Sequence, residues 1–113
     1  MGSERHFSGD PIAFIERCVQ SAKVYWTYHV HMRLSERSIT TADIEYAAGA
    51  LELVEAYPDD KYFPSYLVLG RSASGPIHIL FALDVEGDNV RVVTAYHPDP
   101  LEWGPDLKSR RRP

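Results

Sequence analysis

Ser65-Tyr66-Leu67-Val68-Leu69-Gly70-Arg71, Ile77-His78-Ile79-Leu80-Phe81-Ala82-Leu83-Asp84 and Val90-Arg91-Val92-Val93-Thr94-Ala95-Tyr96 are three runs rich in β-branched and aromatic residues. Ser72-Ala73-Ser74-Gly75-Pro76 separates the first pair and Glu86-Gly87-Asp88-Asn89 the second, and both are turn-forming clusters. Consecutive strands joined by tight turns must pair antiparallel, so the stretch predicts a meander with strands over 66–70, 77–84 and 90–96. Leu51, Leu53 and Val54 suggest an earlier strand that ends at Tyr57-Pro58-Asp59-Asp60.

The pleat then assigns faces. If Gly70 pairs with Ile77 and Leu83 with Val90, then Tyr66, Val68, Ile77, Ile79, Phe81, Val90, Val92 and Tyr96 share one side. Leu67, Leu69, Arg71, His78, Leu80, Val93 and His97 share the other. A slip of one residue would exchange the two sets.

Upstream the period changes from two to that of a helix. Asp10-Pro11 reads as an N-cap followed by proline at the first helical position, and Ile12, Ile15 and Val19 recur at helical spacing, which predicts a helix over 11–23. Val24 to Thr27 is β-prone. His29 to Arg37 reads as a second helix, broken by Ser38-Ile39-Thr40. Thr41 caps a third helix through Ala48, with Asp43 and Glu45 in its first turn and Gly49 at its end. The expected architecture is α+β: N-terminal helices packed on a three- or four-stranded antiparallel sheet. Leu101 and Trp103 are placed to fold back as a lid.

The 113 residues suit one domain, with a core over about 11–103 and flexible ends at 1–9 and 104–113. A hydrophobic share of 44% and a charged share of 25% are ordinary for a folded chain. No apolar run approaches the ~20 residues of a membrane span, and the first ten residues lack the apolar stretch of a signal peptide. Cys18 is the one cysteine, which leaves no internal disulfide and no cysteine-based zinc site. It sits in the amphipathic pattern of the first helix, so packing is its expected role. These features fit a reducing cytoplasm.

Formal net charge is −4. Setting aside the tail cations Lys108, Arg110, Arg111 and Arg112 leaves 8 basic against 16 acidic side chains, near −8. That balance counts against broad, nonspecific nucleic-acid binding, although a local basic pocket is compatible with it. The tail itself reads as a solvated, frayed end.

Two groups of side chains could carry chemistry. His29, Arg33 and Arg37 stand at i, i+4 and i+8 on the second helix, along one stripe near a helix start. Free backbone N–H groups there attract phosphate, and imidazole is the usual proton carrier near neutral pH. The plainer reading is a solvated face with both arginines paired to Glu36. On the sheet, the register above gathers Arg71, His78 and His97 at one end of a face, where an imidazole beside a guanidinium suits acid–base or phosphate chemistry. The plainer reading is a hydrogen-bonded structural His78 and an exposed rim Arg71. Tyr96 reads first as packing at the core edge. His29 and His31 are a poor metal pair on a helix. No Walker loop, dinucleotide fingerprint or Gly-x-Ser-x-Gly elbow occurs. Neither a cofactor nor a metal is expected.

The run Tyr28-His29-Val30-His31-Met32-Arg33-Leu34-Ser35-Glu36-Arg37-Ser38-Ile39 resembles the opening signature of domain-of-unknown-function family 4258. Tyr57-Pro58-Asp59-Asp60-Lys61, Ser65 to Arg71, Pro76-Ile77-His78-Ile79 and Thr94-Ala95-Tyr96-His97-Pro98-Asp99 resemble its later blocks in the same order. The likeness covers about Val24 to Trp103. Ser38 departs from it, where glycine is usual, and so does Val30-His31. The resemblance implies a relationship to the BrnT and RelE-like toxins of bacterial toxin–antitoxin pairs, small α+β ribonucleases that act without metal and bind an antitoxin. It lends weight to His29, Arg33, Arg37, Arg71, His78 and Tyr96 as catalytic candidates, and to RNA, an antitoxin protein or a second copy as partners. Fold-level analogy alone does not establish activity.

Three functions are therefore weighed. The first is metal-independent RNA cleavage. The second is a non-catalytic protein-binding or regulatory module on the same fold. The third is binding or hydrolysis of a small phosphorylated compound, which needs a closed pocket around Arg71 and His78.

Overall fold

Gly70 stands opposite Ile77 and Leu83 opposite Val90, so the meander forms in the expected register. The computed structural model describes residues 9–111. In chain order the elements are α1 (Pro11–Gln20), β1 (Val24–Tyr25), α2 (Tyr28–Glu36), α3 (Thr41–Ala47), β2 (Glu52–Tyr57), β3 (Ser65–Ser72), β4 (Gly75–Asp84) and β5 (Asn89–Tyr96). They build an α+β fold in which the helices pack on a five-stranded sheet of order β1-β5-β4-β3-β2. The sheet is mixed, not wholly antiparallel. The β-prone segment after α1 adds a fifth strand, in which Val24 and Tyr25 run parallel to Val90 and Arg91. Tight-turn reasoning sees only neighbours in sequence and misses such a long-range pair.

Both early helices end in the same device. In α1, the Lys23 N–H donates to Cys18 O (2.8 Å) and the Ala22 N–H to Val19 O (3.2 Å), with Ala22 at φ 59°. In α2, the Ile39 N–H donates to Leu34 O (3.0 Å) and the Ser38 N–H to Ser35 O (3.3 Å), with Ser38 at φ 58°. This is the Schellman pattern, and buried Leu34 and Ile39 supply its apolar contact. The reversal ends α1 three residues earlier than the periodicity predicts. A left-handed serine costs about 1 kcal/mol relative to glycine. Ser38→Gly is therefore expected to raise stability by about that amount, read as a shift in the urea midpoint with an unchanged slope.

The third helix is capped by Thr40, one residue before the expected Thr41. Thr40 Oγ1 accepts from the Asp43 N–H (3.0 Å) and Asp43 Oδ2 accepts from the Thr40 N–H (2.9 Å). That backbone donor holds the Asp43 carboxyl below its ordinary pKa. Asp88, in the β4–β5 turn, is exposed but paired. Arg17 (2.6 Å) and Lys23 (2.9 Å) clamp it and lower its pKa to about 2, which ties α1 to the β4–β5 turn.

Ile15, Val30, Leu34 and Ile44 pack with Val68, Ile79, Phe81, Val90 and Val92 in the main core. Cys18 is buried there too, and burial raises its thiol pKa, as its packing role requires. Two register shifts then decide the opposite face. One falls between Leu53 and Glu55, so Glu52, opposite Leu69, and Glu55, opposite Leu67, point to the same side. The other falls between Leu80 and Phe81 on β4 and leaves Val93 as the extra residue of β5. Beyond it Tyr96 stands opposite His78, away from the helices, whereas a regular strand would have put it with Ile77.

Residues 98–111 cover this second face. Trp103 is buried and forms a bridge with Arg110; the Gly104 N–H donates to Ser109 O (2.7 Å) and the Arg111 N–H to Glu102 O (2.8 Å). Residues 104–111, expected as a loose end, are instead folded onto the sheet, and the lid expected of Trp103 forms. Arg112 and the polar start at 1–8 lie outside the described residues. Leu101 is exposed and takes no part in the lid.

Candidate functional site

The two groups of candidate residues occupy different places. His29, Arg33 and Arg37 lie along α2, whose start is fixed by Thr27 Oγ1 accepting from the Val30 N–H (3.0 Å). Val30 and Leu34 are buried, which orients the helix and leaves His29 and Arg33 exposed. Beyond the two-residue β1, the outer edge of β5 has no strand beside it among the described residues, and α2 packs against β5. The Arg37 guanidinium donates through Nη1 to Ala95 O (2.8 Å) and to Thr94 Oγ1 (3.1 Å). It thereby satisfies an edge carbonyl that a further strand would otherwise have taken. The result is a groove of about 200 Å³ lined by His29, Val30, Arg33 and Leu34 on the helix side and Val93, Thr94 and Ala95 on the strand side. Among the described residues no ion pair joins His29, Arg33 or Arg37 to a carboxylate, so the expected pairing with Glu36 does not form.

Arg71, His78 and Tyr96 belong to the sheet. Arg71 lies two strands in from β5 and is ion-paired through Nη1 to Glu52 Oε2 (3.1 Å). Glu52 also receives Lys108 Nζ (2.8 Å), and these two donors hold its carboxyl below its ordinary pKa. Arg71 borders a separate cavity with Tyr46, Gly49, Leu51 and Glu52. That cavity and the α2 groove have no lining residue in common.

His78 is sealed. It is 0% exposed, with Trp103 edge-on at 4.5 Å between ring centroids and Tyr96 at 5.3 Å. Its Nε2 lies 2.7 Å from Leu107 O. A carbonyl can only accept, so Nε2 carries the proton and Nδ1 accepts from the Tyr96 hydroxyl (3.2 Å). Burial lowers the His78 pKa and raises that of Tyr96. His97 does not join them: its Nδ1 meets Pro76 O (3.1 Å). Around the rim, Arg110 donates to both oxygens of Glu55 (2.7 and 3.0 Å), and the Tyr57 hydroxyl donates to Glu55 as well. These contacts lower the Glu55 pKa, raise that of Arg110 and raise that of Tyr57.

The sealed imidazole has a measurable consequence. With the folded pKa of His78 below its ordinary 6.5, the unfolded chain binds more protons between the two values. Stability from this residue is complete above the unfolded pKa and falls as pH drops through the window below it. Unfolding midpoints are expected to rise with pH as it approaches 6.5 from below, and His78→Gln is expected to flatten the slope. An unchanged slope in that variant would mean that His78 titrates as if exposed.

Trp103 covers His78, while Arg71 is paired to Glu52 and borders a cavity that His78 does not line, so the closed pocket around both residues that the third functional expectation needs does not form there. Sequence reasoning did not single out Thr94, Glu52, Glu55 or the carbonyl of Leu107. The first depends on the Val93 bulge and the last on the path of the tail, and neither leaves a pattern in the residue types. Among the described residues no group of three or more His, Cys, Asp or Glu side chains is placed to hold a metal ion, and no helix is long and apolar enough to cross a membrane.

No curated protein matches the chain. The family model described as Domain of unknown function (DUF4258) matches residues 26–97, from Trp26 before α2 to His97 after β5, and the chain belongs to that family.

Proposed function

We propose that the protein is an RNA-directed, toxin-like domain that cleaves a phosphodiester in the groove between α2 and β5. The observation that carries this reading is that His29 and Arg33 open together onto one groove, while Arg37 is fixed at its far wall by Thr94 and Ala95. In the proposed step the ribose 2′-oxygen attacks the adjacent phosphorus and the bond to the 5′-oxygen breaks. His29 accepts the 2′-hydroxyl proton and returns a proton to the leaving 5′-oxygen, which gives a 2′,3′-cyclic phosphate and a 5′-hydroxyl. Arg33 is placed to stabilise the charge on the phosphorane, and Arg37 keeps the wall of the groove in position. Arg71, His78 and Tyr96 have a structural part in this reading, since the first is paired to Glu52 and the other two lie under the tail. The resemblance to BrnT and RelE-like toxins supports RNA as substrate and an antitoxin as partner.

The test is cleavage of defined single-stranded RNA by the purified chain, with and without a chelator. His29→Ala is expected to slow cleavage by about a hundredfold, with Arg33→Ala close behind and Arg71→Ala near wild type. Equal rates in all four proteins, or a requirement for added metal, would overturn the reading.

A second reading, a protein-binding module without turnover, draws on the charge near −8 outside the tail. It expects His29→Ala and Arg33→Ala to weaken capture of a protein partner while RNA stays intact.

A further inference from the structure

The Val93 bulge has a second neighbour. On the side away from the α2 groove, Val93 lines a cavity of about 470 Å³ together with Asp60, Lys61, Tyr62, Phe63, Ser65, Ala82 and Arg91. That volume falls within the ~300–1,000 Å³ of small-molecule sites. Its floor follows from the register: Ser65 pairs with Ala82 and Ala82 with Arg91, a cross-strand row whose first two members are small and buried. One wall is the β2–β3 loop, which carries two aromatic rings. The Arg91 guanidinium lies 4.9 Å from the Phe63 ring centroid, and Lys61 Nζ lies 5.3 Å from that of Tyr62. Tyr62 is 72% exposed. Among the described residues, the sheet residues that the tail contacts, Glu52, Glu55 and His78, line none of the cavity.

We propose that this cavity is a nucleobase subsite for single-stranded RNA, next to the groove in which cleavage is proposed. Aromatic faces under cations are a stacking platform for a base, and the cations suit the phosphate attached to it. Because Val93 belongs to both linings, a strand crossing the bulge would place a base among Tyr62, Phe63 and Arg91 and a neighbouring phosphate beside His29 and Arg33. The Asp60 carboxylate on the same lining accepts from an exocyclic amine, which favours adenine over uracil. The net negative chain thus needs no broad basic surface to hold RNA, because stacking supplies contact that charge does not. This inference deepens the proposed function and rests on it for the RNA that reaches the pocket.

The experiment has two readouts on the full chain. Adenosine monophosphate is titrated while the amide resonances of residues 61–63, 65 and 91–93 are followed. Binding of a short oligoadenylate, and its cleavage, are measured for wild type, Tyr62→Ala and Arg91→Gln. Tyr62 is mostly exposed, so its variant is expected to fold normally, and Arg91→Gln gives an independent check. The inference expects nucleotide-induced shifts confined to those segments and a loss of oligoadenylate affinity of about tenfold in each variant. Shifts and affinity losses without any cleavage would uphold the base subsite and reject the cleavage reading. His29-dependent cleavage with unchanged affinity in both variants would reject the base subsite alone. No shift and no binding would reject it together with the proposed function.

Discussion

Trp103→Ala is expected to destabilise the protein by about 3–5 kcal/mol, the usual cost of removing a large aromatic from a buried position. The indole is 1% exposed, edge-on to His78 on one side and beneath the Arg110 guanidinium (4.6 Å to the ring) on the other. It is the fully buried large apolar side chain of residues 98–111, where Leu107 is half-buried and Leu101 is 84% exposed. The other ties of this segment to the sheet are the His78–Leu107 O hydrogen bond and ion pairs of Lys108 and Arg110 whose members are partly exposed, and such exposed pairs contribute little and weaken with salt. Losing the indole therefore lets water reach the second face of the sheet, where Leu69 and His78 are both 0% exposed. Urea unfolding gives the size of the loss. Hydrogen exchange gives its place: protection should fall across 99–111 and in the middle of β4 before it falls in the helices. A loss below about 1 kcal/mol, with exchange unchanged in β4, would show that the tail is not what seals His78.

The same tail marks the limit of what the residue types reveal. The meander was legible because turns and alternation act between neighbours, and two assumed pairs, Gly70 with Ile77 and Leu83 with Val90, fixed the register of three strands. The helices are legible from periodicity and caps, with errors of one to three residues at ends where a left-handed Ala22 or Ser38, and no glycine, stops the helix. Tyr96 was assigned to the wrong face because a bulge inserts a residue without changing the apolar pattern around it. Lys108 and Arg110 were read as solvated because their partners, Glu52 and Glu55, are more than fifty residues away on β2. The charge imbalance between tail and body, which looked like a property of two regions, is in part an internal pairing. Of the candidate site, the α2 stripe was legible from spacing alone. Its opposite wall was not, since Thr94 and Ala95 reach Arg37 only after the bulge.

Gly70→Val is expected to cost about 3 kcal/mol, at the upper end of overpacking in a dense core. The cause is proximity, not backbone freedom. A Cβ built on Gly70 would lie 2.7 Å from the Cβ of Ala47 and 3.1 Å from Cδ2 of Leu51. The Leu51 contact can relax by a rotamer change. The Ala47 contact cannot, because that Cβ is rigidly attached to α3, so the whole helix must lift from β3. Lifting it disturbs the packing of Ile44 and Ala48, both 0% exposed. Even Gly70→Ala meets the same close contact, and this permits a cycle that isolates it. Ala47→Gly alone removes a methyl and costs about 1 kcal/mol of helix propensity. If the clash accounts for the effect, the double variant Gly70→Ala with Ala47→Gly should be more stable than the sum of the two single losses by about 1 kcal/mol or more. Additive losses would mean that the strand, not the helix, absorbs the new methyl. In that case the position of α3 would owe nothing to the missing side chain at residue 70. A favourable coupling would instead make the glycine the reason α3 can lie this close to β3, and so the reason Arg71 emerges at the mouth of the cavity between them.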